Sequence, residues 1–256
     1  MALKTIAYIF GNGPSRLEVD LTELKKEGTT FGCNALYRDF SPDWLLSGDA
    51  AIIKELCAVG YPEKNWCIFP DWDPIPGEFR ETLLEPFRIQ GYKILESGVD
   101  DHEHIQIFGL SEDPANDMQV HVVGGDPDWK IINMRGTDDD PDFSVNFFTG
   151  SQAMAQAAIM GYTKIGLIGF DSIWNFIPDT YQNIYAGTNA YDNVKETARL
   201  RVGSDNPNSL IGTQEAQIKK VLDKFEECEY TIYYSGNKNP MGEALWTPLT
   251  YDSFIK

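Results

Sequence analysis

The sequence predicts an α/β fold: a mainly parallel sheet with helices on both faces. Three observations predict it. Short β-branched and aromatic runs alternate with helical stretches over much of the chain, the pattern of a parallel sheet. Most of these runs close on glycine or a short polar residue, as strands do where they enter a turn. The stretch at about residues 70–146 breaks the alternation, carrying many prolines and aspartates and two short alternating runs, His104–Phe108 and Gln119–Val123. It reads as a β-hairpin or small meander inserted into one α/β domain spanning residues 1–256.

Thr5–Phe10 (TIAYIF) is the first strand, closed by Gly11-Asn12-Gly13-Pro14-Ser15. Leucines three apart in Asp20–Lys26 give a short helix ended at Gly28. Thr30–Cys33 is the second strand, ending at Asn34. Asp43–Ser47 is the third, ending at Gly48-Asp49. Ala50–Val59 is helical with Gly60 as its cap, and Asn65–Phe69 is the fourth strand. After the insertion, Thr149-Gly150-Ser151 opens an alanine-rich helix to Met160. Lys164–Ile168 is a strand stopping at Gly169-Phe170-Asp171. Thr213–Phe225 is an amphipathic helix, and Tyr230–Tyr234 is the last clear strand.

Composition narrows the function. Apolar residues make up 42% and charged residues 23%, a globular balance. Lys and Arg number 21 against 39 Asp and Glu, a net charge of −18. Such a surface repels phosphate backbones at long range and disfavours a nucleic-acid scaffold, yet leaves room for a local anion pocket of backbone N–H groups. Cys33, Cys57, Cys67 and Cys228 form no C-x-x-C pair and read as reduced, packed thiols. No run of 18 apolar residues and no leader pattern occurs, so a cytoplasmic protein with no membrane span is expected.

Ligands of open α/β sheets bind beyond the carboxyl ends of the strands. The small and polar residues there are Gly11-Asn12-Gly13-Pro14-Ser15, Asn34, Ser47-Gly48-Asp49, Thr149-Gly150-Ser151 and Gly169-Phe170-Asp171. Glycines admit a ligand to the backbone, and short polar side chains bond ribose, phosphate or base edges. The first turn is neither a dinucleotide fingerprint, since position 16 is Arg, nor a Walker A loop. Thr149-Gly150-Ser151 at a helix start suits an anion, or supplies only a cap. His102 and His104 are polar filler or a metal pair. Asp138-Asp139-Asp140-Pro141-Asp142 is a solvated loop or a cation loop. Trp174, Phe176, Tyr181, Tyr185 and Tyr191 are packing, or a stacking platform.

Gly11-Asn12-Gly13-Pro14-Ser15, Cys33-Asn34, and the block from Thr149-Gly150-Ser151 through Gly161-Tyr162 and Lys164–Ile168 to Gly169-Phe170-Asp171 resemble the bacterial sialyltransferases that finish lipooligosaccharides. They also resemble the wider DUF115-type group, which includes archaeal hydroxymethylpterin diphosphokinases. The resemblance implies a Rossmann-like fold, with helices on both faces of the sheet, and a glycosyltransferase holding a nucleotide-sugar donor and needing no metal. On it Gly11, Asn12, Gly13, Ser15, Asn34, Asp49, Thr149, Gly150 and Ser151 bind the nucleotide. Asp171 sits at the centre of the cleft, and Tyr181 and Tyr185 steady the leaving phosphate. The histidine base of those sialyltransferases has no counterpart after His121: either an aspartate such as Asp171 or Asp205 takes the acceptor proton, or the sugar is not sialic acid, or the chemistry is different. The pterin branch implies an ATP- and Mg²⁺-dependent diphosphotransferase with Asp49 and Asp171 on the metal. The third expectation is a binding module without turnover. Donor sugar, acceptor and oligomeric state stay open.

Overall fold

The structure, a computed structural model, describes residues 5–70, 72–74, 85, 93–99, 102–108, 120–124, 128–144, 147–171, 183–191, 210–234 and 245–250. Its strands are β1 Ile6–Phe10, β2 Thr29–Cys33, β3 Trp44–Leu46, β4 Cys67–Phe69, β5 Trp72–Pro74, β6 Lys93–Val99, β7 His102–Phe108, β8 Val120–Gly124, β9 Ile131–Asn133, β10 Lys164–Ile168, β11 Glu229–Tyr234 and β12 Leu245–Pro248. They fall into two compact units, one of Met1–Asp43 with Phe147–Lys256 and one of Trp44–Asn146.

In the first unit the strand order is β12-β11-β10-β1-β2. β1 runs parallel to both β2 and β10, β10 is parallel to β11, and only the edge strand β12 is antiparallel. This is the mainly parallel α/β sheet expected. β2 is buried at every residue and β1 at all but its first, as strands covered on both faces must be. Gly166 sits within β10 because a Cβ there would come 2.9 Å from the Trp246 ring and 3.0 Å from Tyr8.

The helix Leu21–Glu27 starts where Asp20 accepts the N–H groups of Thr22 and Glu23, and stops at Gly28. The helix Thr149–Ile159 packs on β1, β2 and β10 and against the helix Leu210–Lys224. Its residues Ser151–Ala158 are all buried, which explains the run of alanines: little else fits between a sheet and a second helix.

In the second unit β3, β4 and β9 form a parallel set. The helix Ala50–Ala58 ends at Val59, and Gly60, in the left-handed region at φ 64°, turns the chain into the short helix Tyr61–Lys64. The inserted stretch folds as its own four-stranded sheet in the order β5-β8-β7-β6. Its strands β6, β7 and β8 make an antiparallel meander, and β5 is added in parallel to β8.

Candidate functional site

β1 is followed in sequence by β2 on one side, while β10 lies on its other side. The chain therefore changes direction across the sheet between β1 and β10. In open α/β sheets the crevice for a ligand opens at such a switch point, outside the carboxyl ends of the strands. The polar turns after β1, β2 and β10 all project from that edge of the first unit.

The turns after β1 and β10 are locked together. Gly11 N–H donates to Ile168 O at 2.8 Å and Gly13 N–H to Gly169 O at 2.9 Å. A Cβ on Gly11 would come 2.5 Å from Gly169 O, and one on Gly13 would overlap the Asp171 carboxylate. Gly169 itself takes φ 75°, open to glycine at little cost. Ser15 completes the lock: its N–H and its hydroxyl donate to Asp171 Oδ2 at 3.1 and 2.9 Å, and its Oγ accepts Gly169 N–H at 3.2 Å. The glycines expected to admit a ligand thus first admit one turn to the other.

A second pair joins β2 to the alanine-rich helix. Asn34 follows β2 directly in the left-handed region, φ 52°, a conformation asparagine tolerates better than most residues. Its Oδ1 accepts the Thr149 hydroxyl at 3.3 Å. The residue at the N-cap is Phe148, with no side-chain cap, so Thr149 and Ser151 lie inside the first turn rather than capping it. Gln217 accepts the Phe148 N–H at 2.7 Å. The N–H groups of Thr149, Gly150 and Ser151 have no acceptor among the described residues, and the helix dipole adds positive potential there. Gly150 brings this turn against Phe170, where a Cβ would come 2.8 Å from the ring.

Arg16, the residue after Ser15, is 97% buried, its side chain 2% exposed. Its Nη2 donates to the Tyr185 hydroxyl at 2.8 Å and to Asp39 Oδ2 at 3.2 Å. The Tyr185 hydroxyl donates in turn to Asp39 Oδ2 at 2.6 Å. Burial, with the Asp39 carboxylate next in weight, pushes the Tyr185 hydroxyl up to about 12. Two guanidinium groups lie over its ring, Arg16 at 5.4 Å and Arg38 at 5.6 Å from its centroid. Arg38 also donates to Thr188 Oγ1 at 2.8 Å. The Cys33 thiol is pushed up to about 12 by burial, against the opposing pull of the Arg16 charge. Nε and Nη1 of Arg16, Oδ1 of Asn12 and Nδ2 of Asn183 are buried without a hydrogen-bond partner among the described residues. Each orphaned polar group of this kind costs about 1–3 kcal/mol. The backbone of Asn12 accepts Ile184 N–H at 2.9 Å.

Gly11, Asn12, Gly13, Ser15, Asn34, Thr149, Gly150, Ser151, Asp171 and Tyr185 thus all belong to the first unit, on its carboxyl edge. Asp49 belongs to the other unit, where it caps the helix Ala50–Ala58 by accepting Ala51 N–H at 2.9 Å, and burial raises its pKa. Tyr181, Trp174, Phe176 and Asp205 lie outside the described residues. His102 and His104 lie on β7 and His121 on β8. The loop Asp138–Asp142 is exposed and tied by the Thr137 hydroxyl to Asp139 Oδ1 at 2.9 Å. Among the described residues no three His, Cys, Asp or Glu side chains gather to hold a metal ion, no cysteine pairs with another, and no helix is long and apolar enough to cross a membrane.

The sequence reading missed Arg16 and Asp39. Arg16 registered only as the residue that spoils a glycine fingerprint. The signal available was a lone arginine placed directly after a small-residue turn in a strongly acidic chain.

No family model and no curated protein matches this sequence. Among solved structures, the chain is similar to the alpha-2,3/8-sialyltransferase CstII in a point-mutant form. The two are 13% identical with a TM-score of 0.41, over 89% of this chain and 80% of that one.

Proposed function

We propose that this chain is a transferase that binds a nucleotide-activated donor, a nucleotide-sugar on the leading reading, and passes its glycosyl group to an acceptor. The observation that supports it is the convergence, at the switch point between β1 and β10, of three polar turns and a helix N-terminus without a side-chain cap. The block resemblance to the lipooligosaccharide sialyltransferases points to the same chemistry.

On this reading the first-turn N–H groups of Thr149–Ser151 hold phosphate oxygens, with Asn34 beside them. Asn12 accepts a ribose hydroxyl on its buried, unpartnered Oδ1. The rate comes from positioning and from N–H groups aimed at the charge that develops on the departing phosphate. Tyr185 keeps its proton, so it donates rather than acts as base. Asp171, oriented by two hydrogen bonds from Ser15, takes the acceptor proton.

Calorimetry with CMP, UMP, AMP and GMP, and then with the matching nucleotide-sugars, tests this. Saturable binding of one base, followed by release of that nucleotide from its sugar, is the expected result. Binding without release would leave a non-catalytic module, and no binding by any of the panel would overturn the proposal.

A further inference from the structure

We infer that Gln217, a positioning residue on the helix Leu210–Lys224, keeps the first turn of the helix Thr149–Ile159 open and positive for an anion, with Lys220 adding charge from the same helix face. The inference rests on the nucleotide reading above and deepens it by naming what sets the affinity of that turn for phosphate.

A helix leaves its first four N–H groups without an intrahelical acceptor. Here they belong to Phe148, Thr149, Gly150 and Ser151, since the ladder begins with Gln152 N–H donating to Phe148 O at 2.9 Å. A Ser, Thr, Asn or Asp at the cap would take the N–H of Gly150 or Ser151 and so fill the turn from within. Phe148 has no such group. The acceptor comes instead from 69 positions away: Gln217 Oε1 takes the N–H of Phe148 itself, at 2.7 Å. Gln217 is 9% exposed, so the bond is largely shielded from water. It pins the turn by its outermost donor and leaves the next three N–H groups for a ligand. The Ser151 hydroxyl joins them. That residue is 2% exposed, its hydroxyl has no partner among the described residues, and a helical Cβ tilts toward the helix start.

The charge of the acceptor matters as much as its position. Aligned peptide dipoles leave roughly half a positive charge at the helix start. A carboxylate in place of the Gln217 amide would make the same bond and cancel that potential. The amide is neutral and takes the N–H without doing so. It stands in a chain with 39 Asp and Glu against 21 Lys and Arg. Lys220 lies three residues on from Gln217, and so on the same helix face. It is exposed and holds its Nζ 5.9 Å from the centroid of the Phe147 ring, the residue before the cap. Its ammonium adds to the positive potential of the turn.

The test uses the full chain with inorganic pyrophosphate and with CMP, UMP, AMP and GMP. Gln217→Glu keeps the acceptor and adds a negative charge. Its thermal unfolding midpoint should stay at or above the parent's, while affinity for pyrophosphate and for the nucleotide that binds falls about tenfold at low salt. That loss should shrink as salt rises to about 0.5 M, as screening requires and as a merely structural defect would not. Lys220→Gln, at an exposed position, should lose about two- to fivefold with the same salt dependence. It decides the matter alone if Gln217→Glu does not fold. Parent-like affinity at low salt in either folded variant, or a loss equal at low and high salt, overturns the inference and leaves the nucleotide reading intact. Failure of the parent chain to bind any of the five probes overturns both.

Discussion

Ser15 and Asp171 stand 156 residues apart, and Ser15 places both its N–H and its hydroxyl on one oxygen of the Asp171 carboxylate. The turn after β1 and the turn after β10 are thereby one rigid piece. Asp171→Ala strands both Ser15 donors and should cost about 1–3 kcal/mol in urea unfolding. Asp171→Asn keeps an acceptor and should cost less. The same Asn variant should lower donor turnover about 10²- to 10⁴-fold, the usual contribution of a positioned base. Equal stability of the Ala and Asn variants would show that the lock is not what holds the turns.

Close approach between these turns also makes a prediction about glycines. Gly11→Ala drives a Cβ to 2.5 Å from Gly169 O, and backbone there has nowhere to go. The expected loss is about 1–3 kcal/mol, as for other overpacked sites. Gly161→Ala is the control: its φ of 89° strains any side chain, but nothing lies within 4 Å of the added carbon. Its cost should stay near the left-handed penalty of about 1–2 kcal/mol. Midpoints from chemical denaturation compare them, and a harmless Gly11→Ala would contradict the packing described.

Tyr185 links the site to pH. Its hydroxyl rises from the ordinary value of 10 to about 12 on folding. The folded state therefore holds this proton more tightly than the unfolded chain. Its stabilisation is fully present below pH 10 and is lost as pH rises through about 12. Ultraviolet titration of the tyrosines should show a late-ionising component missing from Tyr185→Phe. Identical alkaline titrations of parent and variant would refute the buried Arg16–Tyr185–Asp39 arrangement.

Asn34 separates conformation from binding. Glycine accepts φ 52° as readily as asparagine does, so Asn34→Gly should leave stability within about 1 kcal/mol. The bond to Thr149 and the side chain beside the first helical turn are lost with it. Nucleotide affinity measured by calorimetry should fall about tenfold. Affinity equal to the parent's would remove Asn34 from the site.

Much of this edge was legible in the sequence because strand ends announce themselves locally. Buried β-branched runs stop at Gly11, Asn34 and Gly169, and Asp20 and Gly28 bracket their helix as capping chemistry requires. The strands that escaped notice were β5, β6, β9 and β12. Three-residue β5 and β9 have no period to read. Pro248 ends β12, which is tolerable only on the sheet edge it occupies. Strands of this kind are specified by the neighbours they pair with, which no local window contains. Arg16 was invisible for the same reason. Nothing within ten residues of it says that Tyr185, 169 positions away, will bury its guanidinium.

On the proposed function, one nucleotide lies at the carboxyl ends of β1, β2 and β10. Crystals soaked with the nucleotide selected by calorimetry test it directly. Phosphate density is expected within hydrogen-bonding distance of the Thr149–Ser151 N–H groups, with Asn12 and Asn34 beside it. Nucleotide bound at any other surface, with this edge unchanged, would contradict it.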